Sequence, residues 1–160
     1  MKPLLVLDLD ETLVHCNNHA GDFKITVNGQ SMFIKLRPHL FSFLNYMSQL
    51  FDLAVWSAGV YDYVHTVLSY FPKNKFKFVM TRRDCVLINY KNQTFLTKPL
   101  AKIKGYSKIY LLDDLWTNGI LNVGKFIEIK PFKGERNDIE LLKIHTVLKR
   151  LVLKNGRIFP

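Results

Sequence analysis

Three short apolar runs that each end in acidic or small polar residues predict an α/β fold with a central parallel sheet. The runs, each with the residues that follow it, are 4–7 with Asp8-Leu9-Asp10, 53–56 with Ser57-Ala58-Gly59, and 109–112 with Asp113-Asp114. Helical patterns between the runs imply right-handed parallel crossovers, which place all three strand ends at one edge of the sheet. Ligands bind at that edge in such sheets, so its polar residues are candidates for a functional site.

The segment between the first two runs predicts a β-hairpin and then a helix. Residues 23–27 and 32–36 alternate between apolar and polar side chains. The Asn28-Gly29 pair between them is a strong signal for a two-residue hairpin turn. Apolar residues then recur at helical spacing over residues 40–50, which predicts the helix.

The segment between the second and third runs predicts a helix and a small antiparallel insertion. The helix is expected over residues 60–71, because Pro72 cannot continue it. The short alternating runs that follow are 78–81, 85–88 and 94–97. We interpret them as strands of an insertion at about residues 76–97, directly before Lys98.

The last part of the chain predicts a fourth strand at 126–129 and a final helix. Asn137 and Glu140 resemble a capping box at the start of that helix. The apolar residues expected to face the core are Ile139, Leu142, Val147 and Leu151. No linker-like segment or internal repeat divides the chain, so a single domain over 1–160 is the expectation.

Composition and charge restrict the class of protein. The 160 residues are 48% hydrophobic and 22% charged, as in ordinary globular proteins, and this excludes wholesale disorder. The net charge of +10 favours an acidic partner, which could be a phosphorylated peptide, a nucleic acid or an anionic surface. Much of that charge lies between residues 73 and 108, where there are ten Lys or Arg and one acid.

Two further features bear on location and assembly. No stretch reaches the roughly 20 apolar residues needed to cross a bilayer. We therefore expect a soluble intracellular monomer without a membrane partner, in either the nucleus or the cytoplasm. Cys16 and Cys85 belong to no C-x-x-C pair, so two free thiols are the simpler interpretation and one disulfide is the alternative.

Asp8 and Asp10 are the first candidates for chemistry. A spacing of two on an extended chain puts both carboxylates on one side, where they repel each other unless a cation or a shared proton is present. Carboxylate oxygens suit Mg²⁺, which also binds substrate phosphate. The alternative is that both residues only end a strand and cap a turn.

The polar residues at the other strand ends favour phosphoryl transfer over that alternative. A carboxylate can attack phosphorus and form an aspartyl-phosphate, and Mg²⁺ would offset its repulsion from the phosphate. Ser57 and Lys98 would hold the phosphoryl oxygens. A second carboxylic acid would protonate the leaving oxygen and then take a proton from water. Taken alone, Ser57 could be a helix cap and Lys98 a surface lysine.

At this point the chain resembles the haloacid dehalogenase superfamily, and within it the small FCP/SCP-type phosphatases that act on the C-terminal domain of RNA polymerase II. The motifs that carry the resemblance are Leu7-Asp8-Leu9-Asp10-Glu11-Thr12-Leu13-Val14-His15, Arg37-Pro38-His39, Trp56-Ser57-Ala58-Gly59 and Ser107-Lys108-Ile109. The resemblance implies a Rossmann-like three-layer sandwich, and the insertion lies where that family carries one.

The resemblance also implies roles for the acidic residues and the threonine of these motifs. Asp8 would be the nucleophile and a Mg²⁺ ligand. Asp10 would be the general acid and base, and would offer its backbone carbonyl to the metal. Thr12 would support this loop. Asp114 would be a metal ligand, with Asp113 beside it as a ligand through water or as a partner of the lysine.

Other matched positions concern the phosphate and the peptide. The resemblance implies that Ser57, Lys98 and Arg82 bind the substrate phosphate. Tyr63 would help to shape a peptide pocket, although a place in the core is an equal alternative for it. Asn18 stands where that family carries an aromatic residue, so a pocket for a substrate proline is expected to be incomplete.

Three functional hypotheses follow. The first is a Mg²⁺-dependent protein serine/threonine phosphatase, with the C-terminal domain of RNA polymerase II as a candidate substrate. The second is a nucleic-acid 3′-end phosphatase, which the basic surface favours. Stacking aromatics for it are few, with Phe76, Phe78 and Tyr90 as candidates. The third is a catalytically silent binding module, which the complete set of acids and lysine disfavours.

Overall fold

The computed structural model describes residues 2–154 and is built around a five-stranded parallel sheet. In chain order the elements are β1 (Leu4–Leu7), β2 (Val14–Asn17), β3 (Phe23–Val27), β4 (Gln30–Leu36), α1 (Leu40–Leu50), β5 (Asp52–Trp56), α2 (Tyr61–Leu68), β6 (Val79–Met80), β7 (Val86–Tyr90), β8 (Gln93–Thr97), β9 (Ile109–Asp113), β10 (Phe126–Glu128) and α3 (Glu140–Lys154). The central sheet has the order β10-β9-β1-β5-β6. The predicted α/β class is therefore confirmed.

Strand β1 lies at the centre because its side chains are apolar on both faces. Leu5 and Leu7 pack into one hydrophobic cluster with residues of α1, α3 and the hairpin. Leu4 and Val6 pack into a second cluster on the opposite face. Successive strand side chains point to opposite faces, so a continuous apolar run is what a sheet buried on both sides requires.

The predicted hairpin is confirmed as β3 and β4. Asn28 and Gly29 both have positive φ angles, 51° and 77°, as a two-residue turn of the type I′ class needs. Strand β2 pairs with β4 on its other edge, which makes a three-stranded antiparallel sheet. Strand β2 begins directly after the loop at residues 8–13, so the small sheet lies beside that loop.

The insertion differs from its prediction in one strand. Val79 and Met80 form β6, which pairs in parallel with β5 at the edge of the central sheet. The alternating pattern at 78–81 was therefore wrongly assigned to an antiparallel insertion. Periodicity identifies a strand but does not identify its partner. The other two predicted strands do pair with each other, as the β7–β8 hairpin.

The buried face of α3 also differs from the predicted one. Ile139, Leu142 and Val147 are 49%, 45% and 44% exposed, whereas Leu151 is half-buried and packs against the core as predicted. The buried residues are Leu141, Ile144, Leu148 and Val152, which pack against the cluster that contains α1. Both sets have helical spacing in a segment rich in apolar residues, and only the position of α1 decides between them. At the helix start, Asp138 Oδ1 accepts a bond from the Glu140 N–H at 3.0 Å, rather than Asn137.

Residues 2–154 contain neither a membrane-spanning helix nor a disulfide. No helix there is long and apolar enough to cross a bilayer. Cys16 and Cys85 are both free thiols, as the simpler interpretation of the sequence predicted.

Candidate active site

The predicted site residues meet at the carboxyl edge of the central sheet. Asp8 follows β1, Ser57 follows β5, Asp113 ends β9 and Lys98 follows β8. The Asp8 backbone N–H donates to the carbonyl of Leu112 at 2.9 Å, which keeps the end of β1 in register with β9. Parallel pairing of β1 with both β5 and β9 is therefore what brings together residues up to 105 positions apart in the chain.

Lys98 lies between two carboxylates in the interior. Its Nζ donates to Asp113 Oδ2 at 2.6 Å and to Asp8 Oδ1, and all three side chains are buried. Burial by itself would lower the pKa of Lys98, but the two carboxylates outweigh it and raise that pKa. Burial and the charge of Asp113 raise the pKa of Asp8 well above its usual range, despite the lysine. The lysine gains from two carboxylates, whereas Asp8 has only a shared cation to oppose its burial and the charge of Asp113.

Asp8, Asp113 and Asp114 together form a candidate cation site. Each offers one carboxylate oxygen, and these oxygens lie within 4.8 Å of one another. Burial and the neighbouring Asp113 raise the pKa of Asp114. The Thr12 hydroxyl donates to Asp8 Oδ2 at 3.1 Å and lies 3.5 Å from Asp114 Oδ1. Oxygen donors and surplus negative charge fit a hard divalent cation.

Asp113 already has polar partners for both of its oxygens. Oδ2 accepts bonds from Lys98 and from the Asn118 amide at 2.9 Å, and Oδ1 accepts the Leu115 N–H at 2.9 Å. Of the two roles expected for Asp113, this geometry is that of a partner of Lys98.

Asp10 lies in a different environment from Asp8. The Ser57 hydroxyl donates to Asp10 Oδ2 at 3.2 Å, and the Tyr63 hydroxyl donates to Oδ1. Burial raises the pKa of Asp10, and the two hydroxyl bonds and Lys98 only partly oppose it. Burial and Asp10 in turn raise the pKa of Tyr63, so the phenol keeps its proton and remains a donor. A carboxyl with a raised pKa is suited to carry a proton near neutral pH.

The turn between Ser57 and α2 is tightly packed around Gly59. A Cβ atom at Gly59 would lie 2.9 Å from Tyr63 Cδ1 and 3.1 Å from Ser57 Oγ. The Gly59 N–H also donates to Ser57 Oγ at 2.9 Å. A glycine here therefore leaves room for Ser57 and for Tyr63 of α2 to place both hydroxyls on Asp10.

Two asparagines that the sequence did not single out support the lysine. The Asn118 Oδ1 accepts the Lys98 N–H at 3.0 Å, and the Asn122 amide donates to the Lys98 carbonyl at 2.9 Å. Both asparagines are buried. Two asparagines one helical turn apart, shortly after Asp113-Asp114, were the available signal, but their partner is 20 or more residues earlier. Sequence spacing alone could not connect them.

A cavity of about 500 Å³ opens beside Asp10. Its walls include Asp10, Tyr63, Cys16, Val60 and Arg82. The Nε of Arg82 donates at 2.7 Å to a backbone carbonyl of the loop after β5, which orients this exposed side chain along the cavity. Tyr63 packs partly against the hydrophobic core, donates to Asp10 and lines the cavity. The core and the pocket, which the sequence left as alternatives for Tyr63, are therefore both in contact with it.

The arrangement of acids, lysine and hydroxyls agrees with a match to a family model. The model is described as NLI interacting factor-like phosphatase, and it matches residues 3–157. The chain belongs to the NLI interacting factor-like phosphatase family. This confirms the resemblance to FCP/SCP-type phosphatases of the haloacid dehalogenase superfamily.

Individual relatives agree with the family. CTD small phosphatase-like protein 3 of Caenorhabditis elegans is 31% identical over 159 residues, covering 92% of the chain and 53% of that protein. CTD small phosphatase-like protein 2 of Dictyostelium discoideum is 30% identical over 155 residues, covering 92% of the chain and 27% of that protein. The chain thus spans about half and about a quarter of the length of these relatives.

A solved structure has the same fold. The fission yeast RNA polymerase II CTD phosphatase Fcp1, bound to beryllium fluoride, superposes with a TM-score of 0.63 at 18% identity. The superposition covers 97% of the chain and 52% of the yeast chain. The Rossmann-like architecture expected of this family member is therefore confirmed.

Proposed function

We propose that this family member is a phosphoric monoester hydrolase that removes phosphate from serine or threonine residues of proteins. The observation that carries the proposal is the separation of two neighbouring carboxylates into different environments. Asp8 faces the buried cation Lys98, whereas Asp10 faces two hydroxyl donors. Two acids with different environments are what a nucleophile and a proton carrier require.

In the proposed first step, a carboxylate oxygen of Asp8 attacks the phosphorus. The new bond joins Asp8 to the phosphoryl group, while the bond from phosphorus to the serine oxygen breaks. Asp10 gives its proton to that leaving oxygen, which departs as a neutral alcohol. Lys98 and Ser57 hold negative charge on the phosphoryl oxygens during the transfer.

In the proposed second step, water cleaves the aspartyl-phosphate. Asp10 is now a carboxylate, and it takes a proton from the water as the water oxygen bonds to phosphorus. The bond between phosphorus and Asp8 breaks, which releases phosphate and restores both acids. The Tyr63 hydroxyl holds Asp10 in place through both proton transfers.

We propose Mg²⁺ as the cation of the site. Asp8 and Asp114 would hold it through their carboxylates, with the backbone carbonyl of Asp10, and Asp113 would support the group from its place beside Lys98. When bound, Mg²⁺ supplies positive charge that reduces the repulsion between the Asp8 carboxylate and an anionic phosphate.

The cavity beside Asp10 supports a peptide as the substrate. It has apolar walls that include Val60 and Met32, and the positive charge of Arg82 at its edge. A polypeptide with a phosphorylated side chain would meet both kinds of surface. The two relatives are named as CTD small phosphatase-like proteins, so we propose phosphopeptides of the RNA polymerase II C-terminal domain as the first substrates to test.

A nucleic-acid 3′-end phosphatase is the second candidate, and an aromatic cluster favours it. The rings of Tyr90 and Phe95 lie 6.3 and 5.9 Å from the ring of Trp116, which is 54% exposed. Lys91 Nζ lies 5.3 Å from the centre of the Tyr90 ring. Trp116 and Tyr90 are exposed and lie beside a cation, an arrangement that can stack bases of a single strand. The cluster draws on Trp116, which the sequence did not place near the insertion.

The test compares wild type with Asp8→Asn on a small aryl phosphate in Mg²⁺. Wild type is expected to release phosphate. Asp8→Asn is expected to reduce the rate by at least about 10³-fold, because an amide is not a nucleophile for phosphorus. A chelator is expected to reduce the rate as much, because it removes the proposed cation. Asp52→Asn, the same change at the opposite end of β5 from Ser57, is the control and should keep the rate. A folded, inactive wild type, or a fully active Asp8→Asn, would refute the mechanism.

Competition among substrates then separates the two candidate functions. Phosphoserine peptides, phosphotyrosine peptides and 3′-phosphorylated oligonucleotides are compared by kcat/KM under identical salt. The first proposal expects the phosphoserine peptides to be preferred. A preference for oligonucleotides, lost on Trp116→Ala, would support the second candidate instead.

A further inference from the structure

A second cavity continues the one beside Asp10. It measures about 360 Å³, and its walls are Asn28, Val60, Tyr61, Asp62, Arg82 and Arg83. Asn28, Val60 and Arg82 also line the first cavity. The two cavities therefore form one groove, which runs from the proton-carrying acid, past the hairpin turn and the start of α2, to Arg83. An extended peptide that placed its phosphorylated residue at the active site could continue along this groove.

The two arginines of the groove are held in place without being neutralised. Arg82 Nε donates to the carbonyl of Ala58, and the Arg82 backbone N–H donates to the Gly59 carbonyl at 3.0 Å. The guanidinium carbon of Arg83 lies 5.5 Å from the centre of the Tyr61 ring. Neither guanidinium forms an ion pair with a carboxylate within residues 2–154.

The nearest acid along the chain is used elsewhere. Thr81 and Asp84 form a capping box around the short 3-10 helix Arg82–Asp84, in which Asp84 Oδ2 accepts the Thr81 N–H at 2.8 Å. The carboxylate of Asp84 therefore bonds to the backbone and forms no ion pair with either arginine. Asp62 is the one acid in the wall of the second cavity, opposite two arginines, so the cavity keeps a positive balance.

We propose that the Arg83 end of the groove is an anion subsite, which binds a second phosphate or carboxylate group of the substrate peptide. An arginine guanidinium can give two parallel N–H bonds to such a group. The contact with the Tyr61 ring restricts the Arg83 side chain before the ligand arrives, which reduces the entropy lost on binding. The preferred substrate would then carry two negative side chains at a fixed spacing.

This inference rests on the proposed phosphatase function, so its test measures binding as well as turnover. The first probe is a peptide with one phosphoserine. In the other peptides a second phosphoserine, a glutamate or a serine is placed at successive positions on either side of that phosphoserine. Dissociation constants are measured on Asp8→Asn, which binds without consuming the peptide, and kcat/KM is measured on the chain with Asp8 intact.

The expected result is a spacing at which the second phosphoserine tightens binding about five-fold, as for a well-aligned partly exposed charge pair. Adding Arg83→Gln should remove that gain and leave the affinity for the singly phosphorylated peptide within about two-fold. Arg150→Gln removes the same charge from exposed α3, so it should keep the gain. Asp62→Asn should enlarge the gain, because it removes the negative charge from the wall of the second cavity. The glutamate peptides show whether a carboxylate suffices or a phosphate is needed.

Two outcomes would overturn the inference. One is that no spacing improves binding, and the other is that Arg83→Gln and Arg150→Gln reduce the gain equally, which indicates a diffuse effect of net charge. The two proposals also fail separately. An Arg83-dependent gain in binding without turnover would refute the phosphatase function alone, whereas turnover without a spacing preference would refute the subsite alone.

Discussion

Arg37 and Lys98 are both buried basic side chains, but the charges around them differ. The charge of Arg37 is balanced by one carboxylate, whereas that of Lys98 is not. The Arg37 guanidinium forms a two-bond pair with Asp138, at 2.8 Å on both oxygens, and donates to the carbonyls of Thr12 and Lys130 at 3.0 and 2.7 Å. One cation meets one anion, and the remaining N–H groups meet neutral acceptors.

The cluster around Lys98 has surplus negative charge instead. Lys98 contacts Asp8 and Asp113, and Asp114 adds a third carboxylate to the same site. The first arrangement joins β4, the loop after Asp10 and the start of α3, so it stabilises the fold. The second sets three carboxylates against one ammonium, a surplus that a bound divalent cation would offset. The comparison teaches that a balanced buried pair is structural, whereas an unbalanced one indicates a site for charged ligands.

The largest expected effect concerns the balanced pair. Arg37→Met should lower the free energy of unfolding by about 3–5 kcal/mol, because Asp138 would remain buried without its cation. Urea denaturation followed by circular dichroism measures this loss. The matched variant Arg37→Met/Asp138→Leu should recover at least half of it, since no uncompensated charge is left. A single variant as stable as wild type would contradict the structural assignment of the pair.

The next effect concerns the unbalanced cluster. Lys98→Met should lower kcat/KM for an aryl phosphate by about 10²–10³-fold, because a preorganised donor to the phosphoryl oxygens is lost. Adding Asp113→Asn restores the charge count, but it should not restore the rate, in contrast to the double variant at Arg37. If the double variant regained wild-type turnover, Lys98 would serve only to neutralise Asp113.

A third effect tests the surplus acids directly. Mg²⁺ should raise the melting temperature of wild type, and at a concentration of 100 times its Kd the gain in stability is about 2.7 kcal/mol. Asp114→Asn removes one of the acids proposed to bind the ion, so it should weaken that gain. Asp138→Asn removes an acid from the balanced pair, so it should keep the gain. An equal gain in both variants would place the ion elsewhere.

The smallest effect is the pH dependence of the balanced pair. Burial alone would raise the pKa of Asp138, but the bonds and charge of Arg37 outweigh it and lower that pKa. The pair therefore stabilises the fold fully above the ordinary aspartate pKa of about 3.9, and this contribution is lost as the pH falls through the lowered value.

Unfolding of wild type and Asp138→Asn measured between pH 7 and pH 2 checks this direction. The difference in free energy should stay constant down to about pH 4 and then narrow as Asp138 of wild type takes up a proton. A difference that widened towards low pH would contradict the lowered pKa.

Much of the fold was predictable because its signals are local. Apolar runs identified β1, β5 and β9, and a two-residue turn signal identified the hairpin. The errors arose where a local pattern has two tertiary solutions. The alternation at 78–81 fits either sheet, and the apolar residues of α3 can form either of two buried faces.

The sequence by itself determined the strand ends and the chemistry-bearing residues that follow them, because side-chain type, apolar runs and short motifs are properties of neighbouring residues. The tertiary structure alone decided the partners. Lys98 meets Asp8 across 90 positions, Asp10 meets Tyr63 across 53, and Arg83 lies over Tyr61 at the end of a groove. These contacts depend on parallel strand pairing and on the packing of α2, which act between distant parts of the chain. The contacts to Lys98 and Tyr63 are what place two neighbouring aspartates in different environments.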